Sequence, residues 1–227
     1  MTTVGRAGVI DGRDGAIAFA RGGIVALATV YLVPVAIAAL GARVHDVPVV
    51  AALRYLGLTG GFAAGGALGV APLSGDRRAI AGSAAAFAVA GIIATWALEM
   101  LQGLTGRERA GTVLLFAVLS LAIAFAVAGG ASAACLRAGA PGAARVGVAS
   151  GAGGAVGGMF LVLPFLLSKV GLRLASGSDA QLLVDLSALT LGLLGPWVVA
   201  GAALGRRLEG AEGEGPDRKQ EGIIRQP

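Results

Sequence analysis

Residues 112–136 read TVLLFAVLSLAIAFAVAGGASAACL, 25 consecutive positions without a charged side chain. A bilayer core about 30 Å thick is spanned by roughly 20 apolar residues in helical form. No water reaches the backbone there, and a helix satisfies every N–H and C=O within its own segment. The stretch therefore predicts a transmembrane helix. Five more apolar runs surround it, at 23–42, 55–73 (or from as early as Val47), 80–101, 146–168 and 182–204. The breaks at 43–48, 74–78, 103–109, 137–145 and 169–179 carry charges and turn formers. All are short, so consecutive helices should be antiparallel neighbours, and no loop can house a soluble domain. The expected fold is all-α, a polytopic transmembrane helix bundle of about six helices with short loops and Gly-rich helix packing. Residues 1–22 are expected to form an N-terminal cytoplasmic segment, 23–205 the bundle, and 206–227 a polar, disordered tail.

The first run carries some marks of a secretory signal. Arg13 and Arg21 precede it, and Ala36-Ile37-Ala38 has the small residues of a cleavage site. Its bilayer-long apolar stretch, long polar lead and internal Pro34 favour an uncleaved helix.

Composition supports the membrane reading. Hydrophobic residues make up 56% and charged residues 14% of the chain, against roughly 25% charged in soluble domains. A soluble chain this apolar could not cover its own surface. The net charge is +5, but the basic residues stand singly or in pairs between apolar runs. That is a topology signal, with some attraction to anionic headgroups, and not a nucleic-acid footprint. In a six-helix chain one side receives Arg6, Arg13, Arg21, Arg77, Arg78, Arg137, Arg145, Arg206 and Arg207. The other receives Arg43, Arg54, Arg107, Arg109, Lys169 and Arg173, while Arg218, Lys219 and Arg225 lie in the distal tail. The richer side is expected to be cytoplasmic, with both termini there. The short loops point to a multi-pass protein of a plasma membrane.

Glycine spacing indicates how the helices pack. Gly57, Gly61, Gly65 and Gly69 recur every four residues and so share one helical face. Without side chains that face lets another backbone approach closely, and in lipid such packing drives association. Ser150, Gly154 and Gly158 repeat the pattern, as do Gly147 with Gly151 and Gly201 with Gly205. The expectation is a glycine zipper between helices of one monomer. The competing reading is a sliding interface or a seam to a homo-oligomer or membrane-protein partner. Gly65, Gly66, Val70 and Pro72 also recur 92 residues later as Gly157, Gly158, Val162 and Pro164. A true repeat would relate the first three helices to the last three in inverted orientation, as in many secondary transporters.

Three ionisable residues near span ends form the candidate site: Arg54, Glu99 and Asp185. With six helices all three fall on the non-cytoplasmic side, with His45, Asp46, Gln102 and Lys169 near the same level. An ion-pair cluster there could leave one carboxylate free for a cation or proton. The plainer reading is snorkelling to the headgroups, with Tyr55 and Trp96 as interfacial aromatics. His45 reads as an exposed loop residue.

Several chemistries are excluded. One cysteine, Cys135, allows no internal disulfide, and in its small-residue stretch it reads as a packing residue. With His45 as the sole histidine it cannot build a usual zinc site. No phosphate-binding loop occurs after a strand. Ser150-Gly151 lacks the glycine that the intramembrane serine protease motif needs at position 148, which is Val148. Gly75-Asp76-Arg77-Arg78 reads as a tight turn. No cofactor, metal or nucleic-acid partner is expected; the lipid bilayer is. The expected function is that of a non-enzymatic structural or accessory membrane component, and the alternative is a small transporter or channel. Mid-membrane polar groups are few, chiefly Thr29, Ser120 and Thr190, which argues against a strongly charged substrate.

Overall fold

The structure, a computed structural model, describes residues 11–41, 47–104, 110–169 and 179–213. Six helices account for nearly all of them: α1 (Gly12–Gly41), α2 (Val47–Val70), α3 (Arg77–Leu104), α4 (Ala110–Cys135), α5 (Gly139–Lys169) and α6 (Asp179–Gly213). No strand occurs among the described residues. The chain is an all-α bundle, and five helices are long and apolar enough to cross a membrane. α2 is not among those five. It nonetheless lies side by side with α1 and α3 along its length.

Helices extend beyond the apolar runs. α1 begins at Gly12, eleven residues before the run at 23–42, and α6 continues to Gly213, past the limit expected at 205. Hydropathy marks where lipid begins, whereas a helix continues until a cap or breaker stops it. At the start of α1 the Asp11 carboxylate accepts hydrogen bonds from the amides of Arg13 (2.7 Å) and Asp14 (2.8 Å). Such an aspartate cap satisfies donors that the first turn leaves free. Asp76 does the same for α3, accepting from the Arg78 amide at 2.9 Å. Between α4 and α5, Arg137 and Gly139 take positive φ values of 60° and 71°, which reverses the chain within three residues.

The helices close into a ring in chain order, each packed against its sequence neighbours, with α1 against α6. All six seams are antiparallel. Gly15 of α1 faces Gly201 of α6, for example, while Gly23, further along, faces Leu194 and Trp197. α1 forms two of the six seams and contributes Phe19 to the core. A chain cut after Ala38 would lose both.

This ring order bears on the internal repeat. Two three-helix halves in opposite orientation are related by an axis lying in the membrane plane. Such an axis reverses the sense of a ring seen from above, whereas matching α1–α3 to α4–α6 in order preserves it. The contacts show the conflict: Gly65 lies on α1 and Gly66 on α3, but Gly157 lies on α6 and Gly158 on α4. Pro72 follows α2 in a turn, while Pro164 is inside α5. The shared spacing is one packing solution used twice by helices running in opposite directions.

The core is uneven along the bundle axis. In the half nearer the 71–76 and 136–138 turns, one apolar cluster joins residues from all six helices. In the other half a second cluster, Leu101, Val113, Ala117 and Val162, joins α3, α4 and α5 alone. Toward that end the last buried apolar residue of α1 is Ala26, while the first of α2 is Leu58 and the first of α6 is Ala188.

Candidate functional site

The glycines marked in the sequence lie between helices of this one chain. A Cβ on Gly57 would meet Val33 at 2.7 Å, one on Gly61 would overlap Thr29, and one on Gly69 would meet the Phe19 ring at 3.1 Å. On Gly65 it would meet the Gly22 carbonyl oxygen at 2.5 Å and Trp197 at 2.8 Å. All four therefore line the α1–α2 seam. Gly154 and Gly158 sit against the backbone of α4 at Leu121 and Ala117. Gly147 and Gly151 face α4 as well, and Gly201 and Gly205 face α1.

Of the three ionisable residues expected to cluster, two meet. Arg54 is in the second turn of α2 and Glu99 near the end of α3, so antiparallel packing sets them side by side. The Arg54 Nη1 to Glu99 Oε1 distance is 3.9 Å, with the side chains 31% and 32% exposed. A long, partly solvated pair of this kind contributes little. The shorter contact comes from Tyr55, whose hydroxyl donates to Glu99 Oε2 at 2.6 Å. The sequence reading had Tyr55 only as an interfacial aromatic. Asp185 stands apart. It is exposed on α6, which does not neighbour α2 or α3 in the ring, and accepts a 2.7 Å hydrogen bond from Gln181 Nε2 one turn away. The spare carboxylate that the cluster would have left free for a cation or proton is therefore not beside the Arg54–Glu99 pair. Trp96 is 44% exposed and packs on Phe116 with centroids 5.4 Å apart. His45 and Asp46, and the side chains of Gln102 and Lys169, lie outside the described residues.

The feature that sequence reasoning missed is an aromatic layer across the ring. Trp197 of α6 is fully buried and stacks on Phe87 of α3, with centroids 4.1 Å apart and planes at 17°. Phe62 of α2, Phe125 of α4 and Phe19 of α1 surround the indole at 5.7, 6.0 and 6.4 Å. Five helices thus meet at one depth. A signal existed: Phe87 is ten residues from Arg77, Phe125 ten from Cys135 and Trp197 ten from Arg207. At 1.5 Å per residue each sits about 15 Å from the same end, the middle of a bilayer core. The indole Nε1 has no hydrogen-bond partner among the described residues.

Polar groups in the interior are mostly satisfied locally. Thr29 and Thr95 donate to carbonyls of their own helices, Ala26 and Gly91, each at 2.7 Å. Ser83 donates to the Gly66 carbonyl at 3.1 Å and shares a 2.8 Å hydrogen bond with Ser132, tying α2, α3 and α4 together. Tyr31 and Thr190 meet at 3.3 Å across the α1–α6 seam. The buried Ser150 hydroxyl, against Gly129, has no partner among the described residues.

The end carrying the short turns is basic. α1 brings Arg13 (its Arg21 sits deeper, beside Gly22 and Gly23, which face Gly65 and Trp197), α3 opens with Arg77 and Arg78, and Arg137 lies in the α4–α5 turn. Arg145 of α5 and Arg206 and Arg207 of α6 complete the set. None of these forms a salt bridge among the described residues, where the one ion pair is Arg54–Glu99 at the opposite end. Arg207 lies across the first turn of α5. A Cβ on Gly142 would meet its Nε at 2.6 Å, and its Nη2 donates to the Ala138 carbonyl at 3.5 Å. Beside this seam Ser74, Asp76, Cys135 and Arg137 line a shallow cleft of about 270 Å³. Among the described residues no three His, Cys, Asp or Glu side chains gather as metal ligands.

Comparison with protein-family models, curated proteins and solved structures finds no match to this chain.

Proposed function

We propose that this chain is a non-enzymatic, multi-pass component of a plasma membrane, a structural or accessory subunit. The observation that carries this reading is the aromatic layer. Trp197 and four phenylalanines from five helices fill the ring at mid-depth, where a conduction path would need polar lining or an open bore. Interior hydroxyls serve as packing ties, as Ser83 and Ser132 illustrate. On this reading α2 is a sixth span, held in register by α1 and α3, and Gly57, Gly61, Gly65 and Gly69 act as a glycine zipper against α1. The basic end faces the cytoplasm with both termini. The test is native mass spectrometry of the protein extracted mildly from its own membrane. A second protein at fixed stoichiometry is expected; recovery only as a monomer or homo-oligomer would count against the subunit role.

A second reading, a small transporter, is favoured by the uneven core. Near the Arg54–Glu99 end α1, α2 and α6 contribute no residue to the second apolar cluster, as an outward vestibule above a mid-membrane barrier would require. Solute flux into liposomes, abolished by bulky substitution near Tyr31 and Thr190, would favour it. Tight liposomes across a panel of ions and small neutral solutes would exclude it.

A further inference from the structure

We propose that the basic end of the bundle docks anionic phospholipid headgroups, with its densest contact at the α5–α6 seam around Arg137, Arg145 and Arg207. This rests on the membrane reading and names the leaflet chemistry that the protein prefers. The sequence places nine basic residues on this side against five acids, Asp11, Asp14, Asp76, Glu209 and Glu212, and six against five on the other, with three basic and three acidic residues in the distal tail. Two of those five acids, Asp11 and Asp76, are engaged in capping the helices that follow them. The arginines therefore have few internal counter-ions, and none lies within ion-pair distance of an acid among the described residues.

Geometry sharpens the placement. Arg207 is not free to sweep into solvent: it is laid over Gly142, with a buried Nε that has no acceptor and one long hydrogen bond to Ala138. Arg137 is one residue before Ala138 and Arg145 three residues after Gly142, so both belong to the same end of this seam. Both of these are exposed. Three arginines at one end of a seam, none paired with an acid among the described residues, leave a local excess of positive charge that an anion would offset. They also lie where α5 begins and its first amides lack helical acceptors. A phosphate diester suits this arrangement, since guanidinium groups bind phosphate oxygens in paired hydrogen bonds. The arginines are distributed over α1, α3, α5, α6 and the α4–α5 turn. A distributed set of this kind matches a leaflet of headgroups better than a single soluble anion.

The experiment measures lipid binding to the full chain by native mass spectrometry from detergent, titrating dioleoylphosphatidylglycerol or dioleoylphosphatidylcholine. Tighter binding of the glycerol lipid by tenfold or more is expected. Arg137→Gln, Arg145→Gln and Arg207→Gln should each weaken it about fivefold, following the roughly 1 kcal/mol per basic residue at an anionic surface. Arg54→Gln at the opposite end should leave the preference unchanged. Equal binding of the two lipids, or a preference indifferent to the three substitutions, overturns the proposal. It would mean that solvent answers the arginines. Where Arg207→Gln does not fold, the exposed Arg145→Gln carries the test. Failure to insert into liposomes of either lipid would instead refute the membrane reading itself.

Discussion

Gly65→Ala and Gly60→Ala are the same chemical change five residues apart on α2, and the structure assigns them opposite signs. A Cβ on Gly65 would lie 2.5 Å from the Gly22 carbonyl oxygen and 2.8 Å from the Trp197 ring, where ordinary contact begins near 3.4 Å. One obstacle is backbone and the other is a stacked indole, so α1 and α2 must separate by several tenths of an ångström. Overpacking of this kind costs about 1–3 kcal/mol, and the immovable carbonyl places it at the upper end. Against that, alanine is favoured over glycine within a helix by about 1 kcal/mol. The net expectation for Gly65→Ala is a loss of about 2 kcal/mol. At Gly60 a Cβ meets nothing within 4 Å, so only the helix term remains and the variant should gain up to about 1 kcal/mol. The two should differ by roughly 3 kcal/mol, or on the order of 6–12 °C in melting temperature for a chain of this size. Reversible unfolding in mixed micelles, titrated with sodium dodecyl sulfate, measures both. Equal shifts, or a stabilised Gly65→Ala, would show that α1 and α2 do not meet as described.

Truncating Trp197 to alanine removes the centre of the aromatic layer and should cost about 3–5 kcal/mol; a loss under 1 kcal/mol in the same assay would mean that the layer is not packed. The Ser83–Ser132 hydrogen bond predicts a coupling of about 1 kcal/mol in a double-alanine cycle, and strictly additive effects would rule the bond out. For Arg54→Glu with Glu99→Arg, the long, partly exposed pair predicts recovery of less than about 1 kcal/mol on combining them. Asp185→Asn should add independently to either; coupling of Asp185 to Arg54 would restore the three-residue cluster that the ring order separates.

The helical class and the number of helices were legible because bilayer length imprints itself on a sequence: 112–136 can hardly be read otherwise. The glycine face of α2 was legible too, since four glycines in register describe a groove whatever fills it. What filled it was not, because Thr29, Val33 and Phe19 carry no mark of their partner. Ring closure was hidden for the same reason, as the α1–α6 seam joins residues at opposite ends of the chain. Arg54 and Glu99 were correctly placed at one end, but depth alone does not give position around the ring, so Asp185 was grouped with them. Tyr55 was undervalued because its ring fits the interface equally well with or without a carboxylate beside it. The repeat failed on handedness, a property that spacing along a chain cannot express.

Ring closure also imposes an order on assembly. Five seams join helices adjacent in sequence and can form as each hairpin is completed, whereas the Gly15–Gly201 contact joins the first helix to the last. Translation at roughly 5–20 residues per second separates the emergence of those two glycines by about 10–40 s. Throughout that interval one flank of α1, with Gly15 and Gly23 bare, faces lipid or whatever membrane chaperone attends it. α1, made before the other five helices, thus completes its contacts only when α6 arrives. A substitution on that flank would show itself in the nascent chain's exposure to quality control before it shows in the finished protein.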